Sequence, residues 1–373
     1  MKTTWKAAVS LMIAALLLCG CIIAPAAEPA EQSAVPEQET AESAAVQEES
    51  AQTAEDGYPL TLTDQIGRSV TLEEKPKRIV SGYYISSSAC IALGLKDRMV
   101  GVEEKIEKRP IYKLAAPELI GNTANVGSAK AFDLEACLAA EPDLVILPKK
   151  AKDYAATLQE MGVSTLVVSP ESHEQLTEMI RLIADAAGAQ ERGEELLGTY
   201  DRVLTGLAEL TAGLPESERP AVYICSPSSY LATAPKDMYQ ASLIRTAGGV
   251  NAGDVLDGDS WTDISYEQLL AMDPDVIFIP TNNMANGQPD YDAAEILGDE
   301  NLSELKAVKN GAVYNMPAGY EAWDSPVPSG ILGMLYLTAK LHPDLYSMER
   351  FRTDAQEFYR TFYGFEMDPS GIE

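Results

Sequence analysis

The chain has 373 residues, with 57 acidic against 28 basic side chains and a net charge of −29 at neutral pH. A field of that sign repels nucleic acid and anionic surfaces, which removes nucleic acid from the expected partners. Two scattered histidines, His173 and His342, are too few for a bare zinc or manganese site, and no G-x-S-x-G, H-E-x-x-H or phosphate-loop motif in 21–373 supports an enzyme.

Lys2 and Lys6 precede an apolar run over 7–18, and then comes Leu18-Cys19-Gly20-Cys21. A charged start, a short apolar stretch and small residues at its end read as a secretory signal over 1–20. The run is shorter than the ~20 residues that span a bilayer. Leu-x-Gly-Cys resembles the bacterial lipobox, which implies that Cys21 is acylated and becomes the first residue of the mature protein. Residues 22–57 carry nine acids, no bases and no aromatics. Nothing there offsets the entropy of ordering the chain, so 21–57 reads as a lipidated Cys followed by a disordered acidic tether.

The body follows in α/β alternation. Residues 60–73 alternate like a hairpin, and 78–81 read as a core strand. A helix over 86–95 stops at Gly94, and 100–103 form another strand. Residues 153–161 are helical with Gly162 as a stop, 163–169 form a buried strand, and Ser172 with Gln175 makes a capping box for a helix to 187. One apolar face of Leu196, Leu197, Tyr200, Val203, Leu204, Leu207 and Leu210 runs through a long helix over about 190–212. A strand restarts at 221–225, alternation continues to Pro317, and 349–363 read as a closing helix. Cys90, Cys137 and Cys225 sit in apolar patterns and read as small buried hydrophobes rather than a disulfide.

Residues 134–148, LEACLAAEPDLVILP, recur 132 positions later as YEQLLAMDPDVIFIP over 266–280. The spacing before each Pro fits a short helix, which the Pro ends, and the apolar run after it fits a strand buried on both faces. The separation is too wide for a solenoid, whose repeats are ~20–50 residues. The expected fold is therefore α/β: two similar lobes with parallel-sheet cores, 58–188 and 214–373, joined by one long helix at 189–213, with a ligand cleft between the lobes.

The lipobox, the tether, the long helix and E-x-x-L-A-x-x-P-D in each half, with Ala247-Gly248-Gly249, Asn251 and Trp261, resemble the substrate-binding proteins of ABC importers. The similarity is to the subgroup with a single helical hinge, which includes iron-siderophore, haem and cobalamin binders. It implies an extracytoplasmic lipoprotein, monomeric and not an enzyme, anchored to the cell membrane. Such a protein delivers a metal chelate to a permease dimer driven by a cytoplasmic ATPase, and needs no cofactor or metal of its own. In the cobalamin-binding member of the family, one Glu per lobe docks against Arg on the permease; the matching positions are Glu135 and Glu267. The cited family ligands give ferric siderophore or haem first and cobalamin next. The alternatives are an oxyanion such as molybdate or tungstate, or a surface scavenger that serves no permease.

Cleft residues are expected in loops beyond the C-terminal ends of strands. Tyr83, Tyr84 and Ser86 follow the first strand, and Lys149 and Lys150 follow the first repeat as a positive patch for an anionic chelate. In the second half the corresponding positions are Ser228, Tyr230, Trp261, Asn282, Tyr320 and Trp323, whose aromatic faces suit a large planar ligand.

Overall fold

The computed structural model describes residues 57–280, 291–317 and 319–372. The signal, Cys21 and nearly all of the tether, as well as Asn282, lie outside these residues. An antiparallel hairpin comes first, β1 (Leu60–Thr63) with β2 (Ser69–Leu72), alternating exposed and inward residues as the sequence does. Asp64 closes its turn by accepting from Arg68 N at 2.8 Å. Its second oxygen accepts from Val167 N at 3.1 Å, which ties the hairpin to the first lobe.

That lobe is built on β3 (Ile79–Ser81), β4 (Met99–Val102), β5 (Ala124–Asn125), a small hairpin of β6 (Gly127–Ser128) and β7 (Ala131–Phe132), then β8 (Leu144–Pro148) and β9 (Ser164–Val168). Its sheet has the order β5-β4-β3-β8-β9 and every pairing is parallel. β3 and β8 are buried along their whole length, as their unbroken apolar runs require. The crossovers carry α1 (Tyr84–Ala92), α2 (Pro110–Ala115), α3 (Leu134–Ala139), α4 (Asp153–Glu160) and α5 (His173–Ala186). Ser172 caps α5 by accepting from Gln175 N at 3.2 Å. Gln175 does not complete a box, because its side chain accepts from Glu171 N instead.

The long helix α6 (Gln190–Thr211) has 22 residues, about 33 Å at 1.5 Å per residue. It buries Leu196, Leu197, Tyr200 and Leu207, and packs on α5 at one end. A Cβ on Gly193 would stand 2.6 Å from Ala184 Cβ, so only glycine lets the two helices approach this closely.

The second lobe contains β10 (Ala221–Ser226), β11 (Ser229–Thr233), α7 (Tyr239–Thr246), β12 (Val250–Asn251), β13 (Thr262–Asp263), α8 (Tyr266–Met272) and β14 (Val276–Ile279). It continues with α9 (Ala293–Gly298), α10 (Lys306–Lys309), β15 (Val313–Asn315), α11 (Gly330–Leu341) and α12 (Met348–Tyr363). Its core strands β12, β10, β14 and β15 are parallel, whereas β11 and β13 add on antiparallel. Only Pro227 and Ser228 separate β10 from β11. A link that short makes a hairpin, since a parallel return needs a crossover of a dozen residues or more. The closing helix α12 packs on α11 and also on α1 of the first lobe. No helix among the described residues is long and apolar enough to cross a membrane.

The repeated sentence folds as the same unit twice, α3 then β8 and α8 then β14. The residue before each Pro cannot easily stay in the right-handed helical region. Glu141 and Asp273 both adopt left-handed backbone, at φ 47° and 39°. The Asp after each Pro then anchors the neighbouring strand. Asp143 accepts from the amides of Lys77 and Arg78 at 2.8 and 2.9 Å, and Asp275 from that of Ala221 at 2.8 Å. All three cysteines of the body are free and buried.

Candidate functional site

A cavity of about 450 Å³ opens where the ends of β3 and β4 meet the second lobe. Gly82 to Ile85, the Glu103–Lys105 turn, Arg109, the 128–130 loop and, from the second lobe, Ser325 line it. Arg109 stands directly before Pro110, which begins α2 and sets its entry. Its guanidinium lies 3.6 Å over the Tyr84 ring, a cation–π contact that holds the fork against the cavity wall. Among the described residues the buried Arg109 Nε has no hydrogen-bond partner; a carboxylate oxygen of Glu103 is 3.8 Å away.

Glu103 is itself only 4% exposed. Tyr112 donates to one of its oxygens at 2.7 Å and Ser87 to the other at 2.5 Å, with Ser81 a further 2.8 Å beyond Ser87. Burial pushes the Glu103 carboxyl above its ordinary range, and the Ser87, Tyr112 and Arg109 contacts oppose that rise. A second buried carboxylate stands at the joint between the lobes. Glu321 receives Tyr84 at 3.4 Å and Ser88 from α1, Ser329 from its own lobe, and Tyr363 of α12 at 2.8 Å. Burial raises the Glu321 carboxyl as well, against its four hydroxyl donors.

Of the residues expected in the cleft, Tyr83 and Tyr84 line the cavity. Ser86 does not: it is buried behind the wall, 2.9 Å from the Tyr83 carbonyl and 2.8 Å from Ser81. Lys149 and Lys150 are exposed on a turn after β8, away from the cavity wall. Ser228 is exposed in the β10–β11 turn. Tyr230 points to Tyr266 and Asp299, at 3.2 and 3.0 Å. Trp261 packs half-buried on the main apolar core. Tyr320 donates to the Asp368 carbonyl at 2.8 Å and stacks on Phe365. The expectation for Trp323 is corrected outright: at 2% exposure it is core, edge-on to Phe351, with its indole N–H donating to Tyr359 at 2.7 Å. A polar loop in the sequence concealed the apolar face of α12 that covers it.

Sequence reading missed Arg109, Glu103, Lys105 and Lys130. The signal for Arg109 lies in its place after the C-terminal end of β4. Among the described residues no three His, Cys, Asp or Glu side chains are grouped to hold a metal ion.

Glu135 and Glu267 are exposed at the second position of α3 and α8. Neither is the N-cap: Asp133 accepts from Ala136 N, and Ser265 forms a full capping box with Gln268. The Ser265 hydroxyl holds the Glu267 carboxyl below its ordinary range.

The chain is 24% identical over 343 residues to YvrC of Bacillus subtilis, an uncharacterized ABC transporter substrate-binding lipoprotein, covering 90% of this chain and 96% of that one. It is 25% identical to the molybdate-binding protein MolA of Haemophilus influenzae, covering 81% and 91%, and 25% identical to the Fe(3+)-citrate-binding protein YfmC of B. subtilis, covering 70% and 79%. The solved structure of MolA bound to molybdate superposes with a TM-score of 0.72 at 22% identity, over 83% of this chain and 99% of that one, and so shares the fold. A model of the periplasmic binding protein family matches residues 79–320.

Proposed function

Since the chain belongs to the periplasmic binding protein family, we propose that it captures an anionic metal chelate, a ferric siderophore first, and hands it to an ABC permease. Arg109 carries this reading: a guanidinium held against Tyr84 in the wall of a cavity between the lobes, in a protein otherwise dominated by acids. The guanidinium fork suits a carboxylate, catecholate or oxo ligand, which accepts charge-assisted hydrogen bonds from it. Lys105 and Lys130 at the rim add attraction, and Tyr83 offers an aromatic wall with a hydroxyl. Molybdate and ferric citrate, for which two relatives are named, are both anions. About 450 Å³ exceeds what a tetrahedral oxyanion fills and is cramped for a corrinoid, which favours a chelate of intermediate size. A free oxyanion is the second reading, favoured by the likeness to MolA.

In this reading 58–188 and 214–373 are the lobes and 189–213 the hinge. Cys21 anchors the protein outside the cell membrane, and Glu135 with Glu267 dock on the two permease subunits. Their matched helix positions support that role, and so does the presence of another residue as the cap in both cases. The chemistry required is binding and release, with no catalytic step.

Calorimetric titration of the purified protein with ferric citrate, a ferric catecholate, haem, cobalamin and molybdate tests the reading. One anion is expected to bind saturably, and Arg109→Ala to weaken it at least tenfold, the cost of a hydrogen bond to a charged group. Binding unchanged in Arg109→Ala, or no saturable binding at all, overturns it.

A further inference from the structure

Arg109 is not alone under the cavity. The Glu103 carboxylate lies 3.8 Å from Arg109 Nε, too far for a hydrogen bond and close enough for strong attraction. Glu103 makes its hydrogen bonds elsewhere, to Tyr112 and Ser87, so it stays fixed and does not swing to meet the cation. Arg109 is fixed independently, flat on Tyr84. An anion entering the cavity therefore meets a cation whose field a buried carboxylate already partly cancels.

We propose that Glu103 is a built-in counter-ion that competes with the transported anion for Arg109, so that capture strengthens as this carboxyl takes up a proton. The proposal rests on the anion reading above and adds a control on affinity. The groups that face Glu103 come from two helices: Tyr84, Ser87 and Cys90 of α1, then Arg109 and Tyr112 at the start of α2. Burial pushes both tyrosine hydroxyls up and the Cys90 thiol up to about 12, so these stay neutral through the working range. Glu321 lies across Tyr84 with four hydroxyl donors and, among the described residues, no ion-paired cation. Burial raises the Glu103 carboxyl above its ordinary value, with the Ser87, Tyr112 and Arg109 contacts opposing.

The test measures dissociation constants for molybdate and for ferric citrate at pH 5.5 and 8.0. Wild type, Glu103→Gln, Tyr112→Phe and Arg109→Ala are compared at each pH, so that changes in the ligand itself cancel. Gln keeps the shape and can still accept from Tyr112, and a melting curve verifies the fold of each variant. The expected result is at least tenfold tighter binding by Glu103→Gln at pH 8.0, with a smaller gap at the lower pH. Tyr112→Phe, which removes one donor to the carboxylate, should fall between. Equal or weaker binding by Glu103→Gln at pH 8.0, with Arg109→Ala defective, overturns the counter-ion and leaves the anion reading standing. Failure of wild type to bind these two probes, with the ferric catecholate and haem of the first titration also silent, overturns the anion reading and the counter-ion with it.

Discussion

His173 shows how much one side chain can depend on the state of a single proton. It begins α5, is 9% exposed, and has no hydrogen-bond partner for either ring nitrogen among the described residues. Its ring stacks on Tyr200 of α6 with centroids 5.1 Å apart. The Tyr200 hydroxyl in turn bonds the carbonyls of Val327 and Pro328 in the second lobe. Burial holds the His173 pKa below its ordinary value, against the pull of Glu174 and Asp201. A depressed folded value means the unfolded chain binds the proton first. The stability His173 contributes is therefore complete above the ordinary pKa of about 6.5 and is lost as pH falls below it. Because the raised Glu103 and Glu321 carboxyls act in the opposite sense, the readout is relative: the melting temperature of wild type minus that of His173→Phe, which keeps the stack, should fall between about pH 7 and pH 5. A slope unchanged in the variant would assign the acid loss elsewhere. At this scale the sequence was least legible. Tyr84 declared itself by following a strand, but Arg109 and Glu103 gain their roles from a stack and a void that only tertiary contact creates. Trp323 misled for the same reason.

Elements were far more legible, because local periods and caps set them. The hairpin of β1 and β2, the helix start at Ser172 and the long α6 all stand where spacing placed them. The repeat also conveyed more than an outline, since its Asp serves one purpose in both copies. Asp143 holds two backbone amides at the start of β3. Losing it leaves those donors to water or to nothing, and Asp143→Ala should cost about 1.5–3 kcal/mol of unfolding free energy, measured by denaturant titration. Asp275→Ala should cost less, because it anchors one amide, that of Ala221. Equal stability of wild type and Asp143→Ala would leave the shared Pro-Asp without a structural purpose. The antiparallel strands β11 and β13 were not legible, because a two-residue link reads as a loop until its partner strand is seen.

At the scale of the whole molecule, three ties cross between the lobes: α6, the Glu321 cluster and α12 against α1. Arg192 of α6 strengthens the last by donating to the Thr361 carbonyl and stacking 4.7 Å over Phe362. A body braced in this way presents its exposed Glu135 and Glu267 at a nearly fixed separation, as docking on a dimeric partner requires. The double variant Glu135→Ala with Glu267→Ala should abolish cellular uptake while ligand affinity and melting temperature stay at wild-type values. Uptake at the wild-type rate would remove docking from both residues.

The brace between α1 and α12 also bears on the order of assembly. All nine residues of α1 are buried, and part of their cover is α12, near the other end of the chain. α12 follows α1 only after the rest of both lobes, so the first lobe cannot cover α1 until the second has been made. Contacts so distant along the chain form slowly, because a large loop must close before they repay its entropy. The α1 face of the first lobe thus stays uncovered until residues 348–363 are in place.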